Sequence, residues 1–148
     1  MIYGYACIDI VDNKVEIERQ ISKIRKYGNS KRENISLLGE IVDKTQRGYS
    51  LDYKKQLRDL QDNIKEGDTV VFATLDSIST DKNTTLAILS VLYSKGANVV
   101  VLDFPVLETI DINKMAFNNT PKHPLYLSIL SPLLEYRYTL KQNNYSYV

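Results

Sequence analysis

Cys7, Asp9 and Asp76 are the side chains of this chain whose types and positions best suit chemistry. Each sits at the end of an apolar, β-branched run, and strand ends meet at one rim in a parallel α/β fold. Two carboxylates and a thiol gathered there would hold a metal ion or act as an acid/base pair. The plainer reading is a pair of solvated carboxylates beside a small buried thiol. His123, the only histidine, lies in a loop between Pro121 and Pro124 and carries no expected role. No cofactor and no bound metal are expected.

The elements that must position these residues alternate along the chain. Residues 2–10 form a first expected strand, rich in β-branched and aromatic side chains. Asp12 or Asn13 caps a helix whose Ile17, Ile21 and Ile24 share one face, with Gly28 as its stop. Residues 35–42 are a second strand and 43–50 a polar loop. A helix from Leu51 to Ile64 groups Tyr53, Leu57, Leu60 and Ile64. Residues 69–74 read as a buried parallel strand. A helix capped by Asp81 or Asn83 turns Leu86, Leu89 and Leu92 inward, and a fourth strand covers 98–104. The β-α-β-α-β-α-β order implies a mainly parallel sheet of four to five strands flanked by helices. Beyond this 1–104 core, residues 105–124 read as a loop and 125–142 as a C-terminal helical arm, interrupted at Pro132.

Composition narrows the functions. The 148 residues fit a single domain with one core. The net charge of +1 provides no overall basic field for nucleic acid, so direct DNA binding is expected to be weak or absent. Lys23, Arg25, Lys26, Lys31 and Arg32 cluster at one helix end, where they complement the helix dipole. No apolar run reaches the roughly 20 residues of a membrane span. The single cysteine excludes an internal disulfide and fits a cytoplasmic location.

Four short segments share an order and spacing. They are Tyr3-Gly4-Tyr5-Ala6, Glu18-Arg19-Gln20-Ile21, Glu66-Gly67-Asp68-Thr69-Val70-Val71, and Leu75-Asp76-Ser77-Ile78-Ser79-Thr80. Together they resemble the catalytic domain of the resolvase/invertase family of serine recombinases. That resemblance implies DNA strand exchange by a serine nucleophile set among arginines, because arginine grips two phosphoryl oxygens and keeps its charge. At the family positions this chain has Tyr5, Cys7 for an arginine, Asp9 for the serine, Gln20, Lys54 for an arginine, Asp76, and Ser77 and Thr80 for two more arginines. The first segment is about two residues longer than the common form, so Val11 is the other choice for the serine position. Neither choice supplies a hydroxyl. Arg47 fits the spacing poorly.

What the resemblance implies is therefore a fold without its usual chemistry. The expected function is a catalytically inactive homologue that acts through protein contact and regulates DNA recombination, paired with itself, with an active recombinase or with another DNA-processing protein. The alternative is a recombinase, or a catalytic fragment of one, with an atypical nucleophile. A third class is a different, metal-dependent enzyme on the same scaffold. No helix-turn-helix is expected after Leu140. A homodimer is expected around Leu127, Leu130, Leu134, Tyr136 and Tyr138 of the arm.

Overall fold

The structure is a computed structural model that describes residues 1–9, 14–42, 54–105 and 131–140, with Asp9 and Val42 described by backbone alone. Strand β1, Ile2–Asp9, is central and sends alternate side chains to opposite faces of the sheet. Tyr3, Tyr5 and Cys7 face one way, and Ile2 and Ala6 the other. Gly4 shares the second face: a Cβ there would stand 2.5 Å from Ile24 Cγ2. Small residues on that face thus let helix α1, Lys14–Lys31, approach closely.

Strands β2 (Ile35–Val42), β3 (Thr69–Phe72) and β4 (Asn98–Val101) complete a parallel sheet of order β2-β1-β3-β4. The order reverses between β1 and β3. With crossovers of one hand, the reversal sends α1 to one face and the later helices to the other. Those later helices are α2 (Lys55–Asn63), α3 (Leu75–Ile78) and α4 (Lys82–Ser94). Residues 131–140, helix α5, join them. The larger core cluster accordingly runs from Tyr5 and Phe72 through Leu57, Leu60, Ile88 and Leu92 to Leu134. The smaller one holds Ile24, Ala6, Val71 and Val100 under α1.

The four-stranded parallel sheet flanked by helices agrees with the expected fold, and several boundaries shift. Strands β3 and β4 end at Phe72 and Val101, shorter than expected, because the apolar run continues past the last paired residue. Gly28 does not stop α1. It lies inside the helix, where a Cβ would come within 2.6 Å of Ile35 Cδ1, so it serves close helix–strand packing. The stop comes at Arg32, with φ 54°. Glu33 N–H donates to Gly28 O and Arg32 N–H to Asn29 O, both at 3.1 Å, closing a Schellman turn. Helix α3 is an addition to the expected elements. The Asp12/Asn13 cap, Tyr53, residues 106–124 of the expected 105–124 loop, and Leu127 and Leu130 lie outside the described residues. Pro132 lies in helical backbone.

Candidate functional site

At the reversal point the C-terminal ends of β1 and β3 separate, the usual place for a site in such a sheet. Pairing of β1 with β3 stops at Tyr5 and Phe72, while β1 continues along β2 to Asp9. Cys7 therefore has backbone groups turned toward β3 without a strand to meet them. Gln20 supplies the partners. Its Oε1 accepts from Cys7 N–H at 3.0 Å, and its Nε2 donates to Cys7 O at 3.1 Å. A carboxamide offers the same donor and acceptor as a strand residue, so buried Gln20 fills the gap.

Glu40 organises the neighbouring ground. It is buried on β2, and its carboxylate accepts from the Tyr5 hydroxyl, from Gln56 N–H at 2.7 Å and from Leu57 N–H at 3.2 Å. The latter two are free amides in the first turn of α2, whose N-cap residue Lys54 offers no side-chain cap. Glu40 thus caps a helix from another strand. Burial pushes the Tyr5 phenol far above its usual range, and the neighbouring Cys7 and Glu40 add to the rise.

Lys54 is only 2% exposed. Its ammonium donates to Ser77 O at 3.1 Å and Ile78 O at 2.6 Å, the carbonyl end of α3. Cations suit carbonyl ends of helices. Ser77 is buried, and its hydroxyl donates to Thr74 O at 2.6 Å. Thr74 caps α3 by accepting Ser77 N–H at 3.0 Å. Asp76 and Thr80 are exposed.

The N-terminal end of α3 is held by Asp103, which follows β4. Its Oδ1 accepts Leu75 N–H at 3.0 Å, and its Oδ2 lies 3.5 Å from the Arg137 guanidinium of α5. Partial burial raises the Asp103 pKa and nearby Asp76 adds to the rise, against the pull of Leu75 N–H, Arg137 and Lys23. Next along α5, the Tyr138 hydroxyl donates to Ser79 O at 2.9 Å and lies 2.7 Å from Thr85 Oγ1. Burial pushes that phenol up to about 12.

The family positions Tyr5, Cys7, Lys54 and Ser77 thus lie around the ends of β1, α2 and α3, where Gln20 reaches Cys7 from α1 and Lys54 reaches Ser77. The side chain of Asp9 lies outside the described residues, as do Val11, Arg47 and His123. Cys7 is buried and Asp76 exposed, and among the described residues no three His, Cys, Asp or Glu gather as a metal site. Of the expected interface residues, Leu134 is fully buried in the chain's own core. Tyr138 is half-buried in the contacts above, and Tyr136 is 64% exposed. Sequence reasoning missed Glu40, Asp103 and the part Tyr138 plays. Glu40 had a signal, being the one charged residue in the run Ile35-Ser36-Leu37-Leu38-Gly39-Glu40-Ile41-Val42.

The fold is that of a serine-recombinase catalytic domain. The chain resembles the N-terminal catalytic domain of TP901-1 integrase with a TM-score of 0.58 and 17% identity, over 94% of this chain and 97% of that one. It resembles a resolvase family site-specific recombinase from Streptococcus pneumoniae with a TM-score of 0.57 and 16% identity, over 98% and 93%. The C-terminal catalytic domain of ISC1926 TnpA, an IS607-like serine recombinase, gives 0.52 and 16%, over 90% and 98%. At these identities the likeness is one of fold. The sequence family described as "Resolvase, N terminal domain" matches residues 2–140, and the chain belongs to it. No curated protein sequence matches the chain.

Proposed function

We propose that this chain is a serine-recombinase catalytic-domain homologue that does not cleave DNA and instead regulates DNA recombination by protein contact. One observation carries the reading. Lys54, the cation closest to a family arginine position, spends its ammonium on the carbonyls of Ser77 and Ile78 inside the protein. To grip a phosphate it would have to leave two buried hydrogen bonds, at 3.1 and 2.6 Å, in a dry setting where such bonds are strongest. The other arginine positions hold Cys7, Ser77 and Thr80, which bring no positive charge. In-line attack on a phosphodiester needs charge neutralisation as much as it needs a nucleophile. The Ser77 hydroxyl proton is committed to Thr74 O, and no described side chain is bonded to it as a base. The Glu40 carboxylate occupies the α2 amides that would otherwise favour an anion.

The partner surface in this reading is the outer face of α5. Pro132, Tyr136 and Leu140 follow one another at intervals of four along it, with Tyr136 64% and Leu140 40% exposed. A second copy, or an active recombinase, covers this stripe, and Leu134 behind it belongs to the chain's own core. Among the described residues no helix is long and apolar enough to cross a membrane. Incubation with supercoiled plasmid tests the inactivity directly. No relaxed or linear product is expected, and accumulation of nicked circles by the purified chain contradicts the reading.

A further inference from the structure

Helix α3 is four residues long and carries Asp76 and Ser77, yet α5 reaches it at both ends. Arg137 holds Asp103, whose other oxygen holds Leu75 N–H at the start of α3. Tyr138, the next residue, donates to Ser79 O just past its end. The carbonyls of Ser77 and Ile78 are taken by Lys54 from α2. Three successive carbonyls are thus shared out: 77 and 78 go to the residue that opens α2, and 79 goes to Tyr138 of α5 and, at 3.3 Å, to the Thr85 hydroxyl of α4. So short a helix has too few internal bonds to set its own position.

We propose that α5 is a strap on α3, so that its docking fixes the Asp76–Thr80 segment and, through the shared carbonyls, the start of α2. A partner that pulls α5 away loosens that segment, and a partner that presses α5 down stiffens it. The Glu135–Lys82 ion pair adds a tie from α5 to the first turn of α4. This inference goes beyond the absence of cleavage and holds whether or not the chain cuts DNA.

Amide hydrogen exchange on the whole chain tests it. Tyr138→Phe removes one hydroxyl and keeps the ring. Arg137→Gln removes the guanidinium that holds Asp103, the tie from α5 to the start of α3. In both variants exchange is expected to rise about fivefold or more at residues 75–80 and at Gln56 and Leu57, while α1 keeps its rates. Lys54→Met, which acts from the other side, is expected to speed exchange in 131–140, because coupling is reciprocal. Acceleration confined to the altered element overturns the proposal. So does acceleration spread equally over α1 and β1, which would mark global loosening instead of a strap.

Discussion

Removing the Glu40 carboxylate leaves three donors without their acceptor: the Tyr5 hydroxyl and the amides of Gln56 and Leu57. Glu40→Ala is expected to lower stability by roughly 2–4 kcal/mol, from the buried unsatisfied donors and the lost helix cap together. Glu40→Gln keeps an acceptor oxygen and is expected to cost less than half as much. Urea denaturation of both variants checks the order, and equal losses would show that the carboxylate is not the cap. At this scale the candidate site was only partly legible in the sequence. The residue types at positions 7, 54, 77 and 80 could be read directly. That Lys54 turns inward onto carbonyls could not, since the same lysine on a solvated loop would look identical in sequence. Glu40 stands out as a lone charge on its strand, but its role, capping the helix that starts at Lys55, is a contact no local pattern encodes.

Caps and close approaches decide how the elements hold. Asp81 caps α4, accepting from Thr84 N–H at 2.8 Å and from the Thr84 hydroxyl at 2.7 Å. The Thr84 hydroxyl, followed by the Thr84 amide, lowers the Asp81 pKa. A depressed folded pKa means stability present above the unfolded value, near 3.9, and lost as pH falls through the folded value. Asp81→Ala is expected to cost about 1 kcal/mol at neutral pH. The gap between variant and parent should close on acidification below pH 4, which melting curves across pH would show. Asp103 carries the opposite sign. Its raised pKa means that its ionisation costs stability as pH rises from the unfolded toward the folded value. Asp103→Asn, which keeps an oxygen for Leu75 N–H, is expected to flatten that acid limb. At the other face, Gly4→Ala places a Cβ 2.5 Å from Ile24 Cγ2 and 3.0 Å from Ile35 Cγ2. A loss of about 1–3 kcal/mol is expected from overpacking, read by thermal denaturation. The element order was legible because apolar runs alternate with helical faces. The boundaries were less so. Gly28 resembles a helix stop in sequence, and only the approach of Ile35 shows that it is a packing glycine. Helix α3 is a single turn fixed by Thr74, Asp103, Lys54 and Tyr138, three of them distant in sequence.

For the whole molecule, the arm divides its residues between two duties. Leu134 and Tyr138 serve the chain's own fold, while Tyr136 and Leu140 remain open to solvent. If a second copy covers that face, Tyr136→Glu should convert a dimer to a monomer in sedimentation at micromolar concentration and leave the melting temperature nearly unchanged. A monomeric parent chain, or a dimer indifferent to this change, places the partner surface elsewhere. Covalent capture is the sharpest test of the proposed loss of strand cleavage. A library of nicked duplexes made from the source genome traps any protein joined to a DNA end, whatever the recombination site. No adduct is expected on denaturing gels or by mass spectrometry, including for Asp9→Ser, because Cys7, Ser77 and Thr80 still leave the phosphate without neutralising charge. A DNA–protein adduct of the parent chain, mapped to any side chain, would contradict the proposed loss.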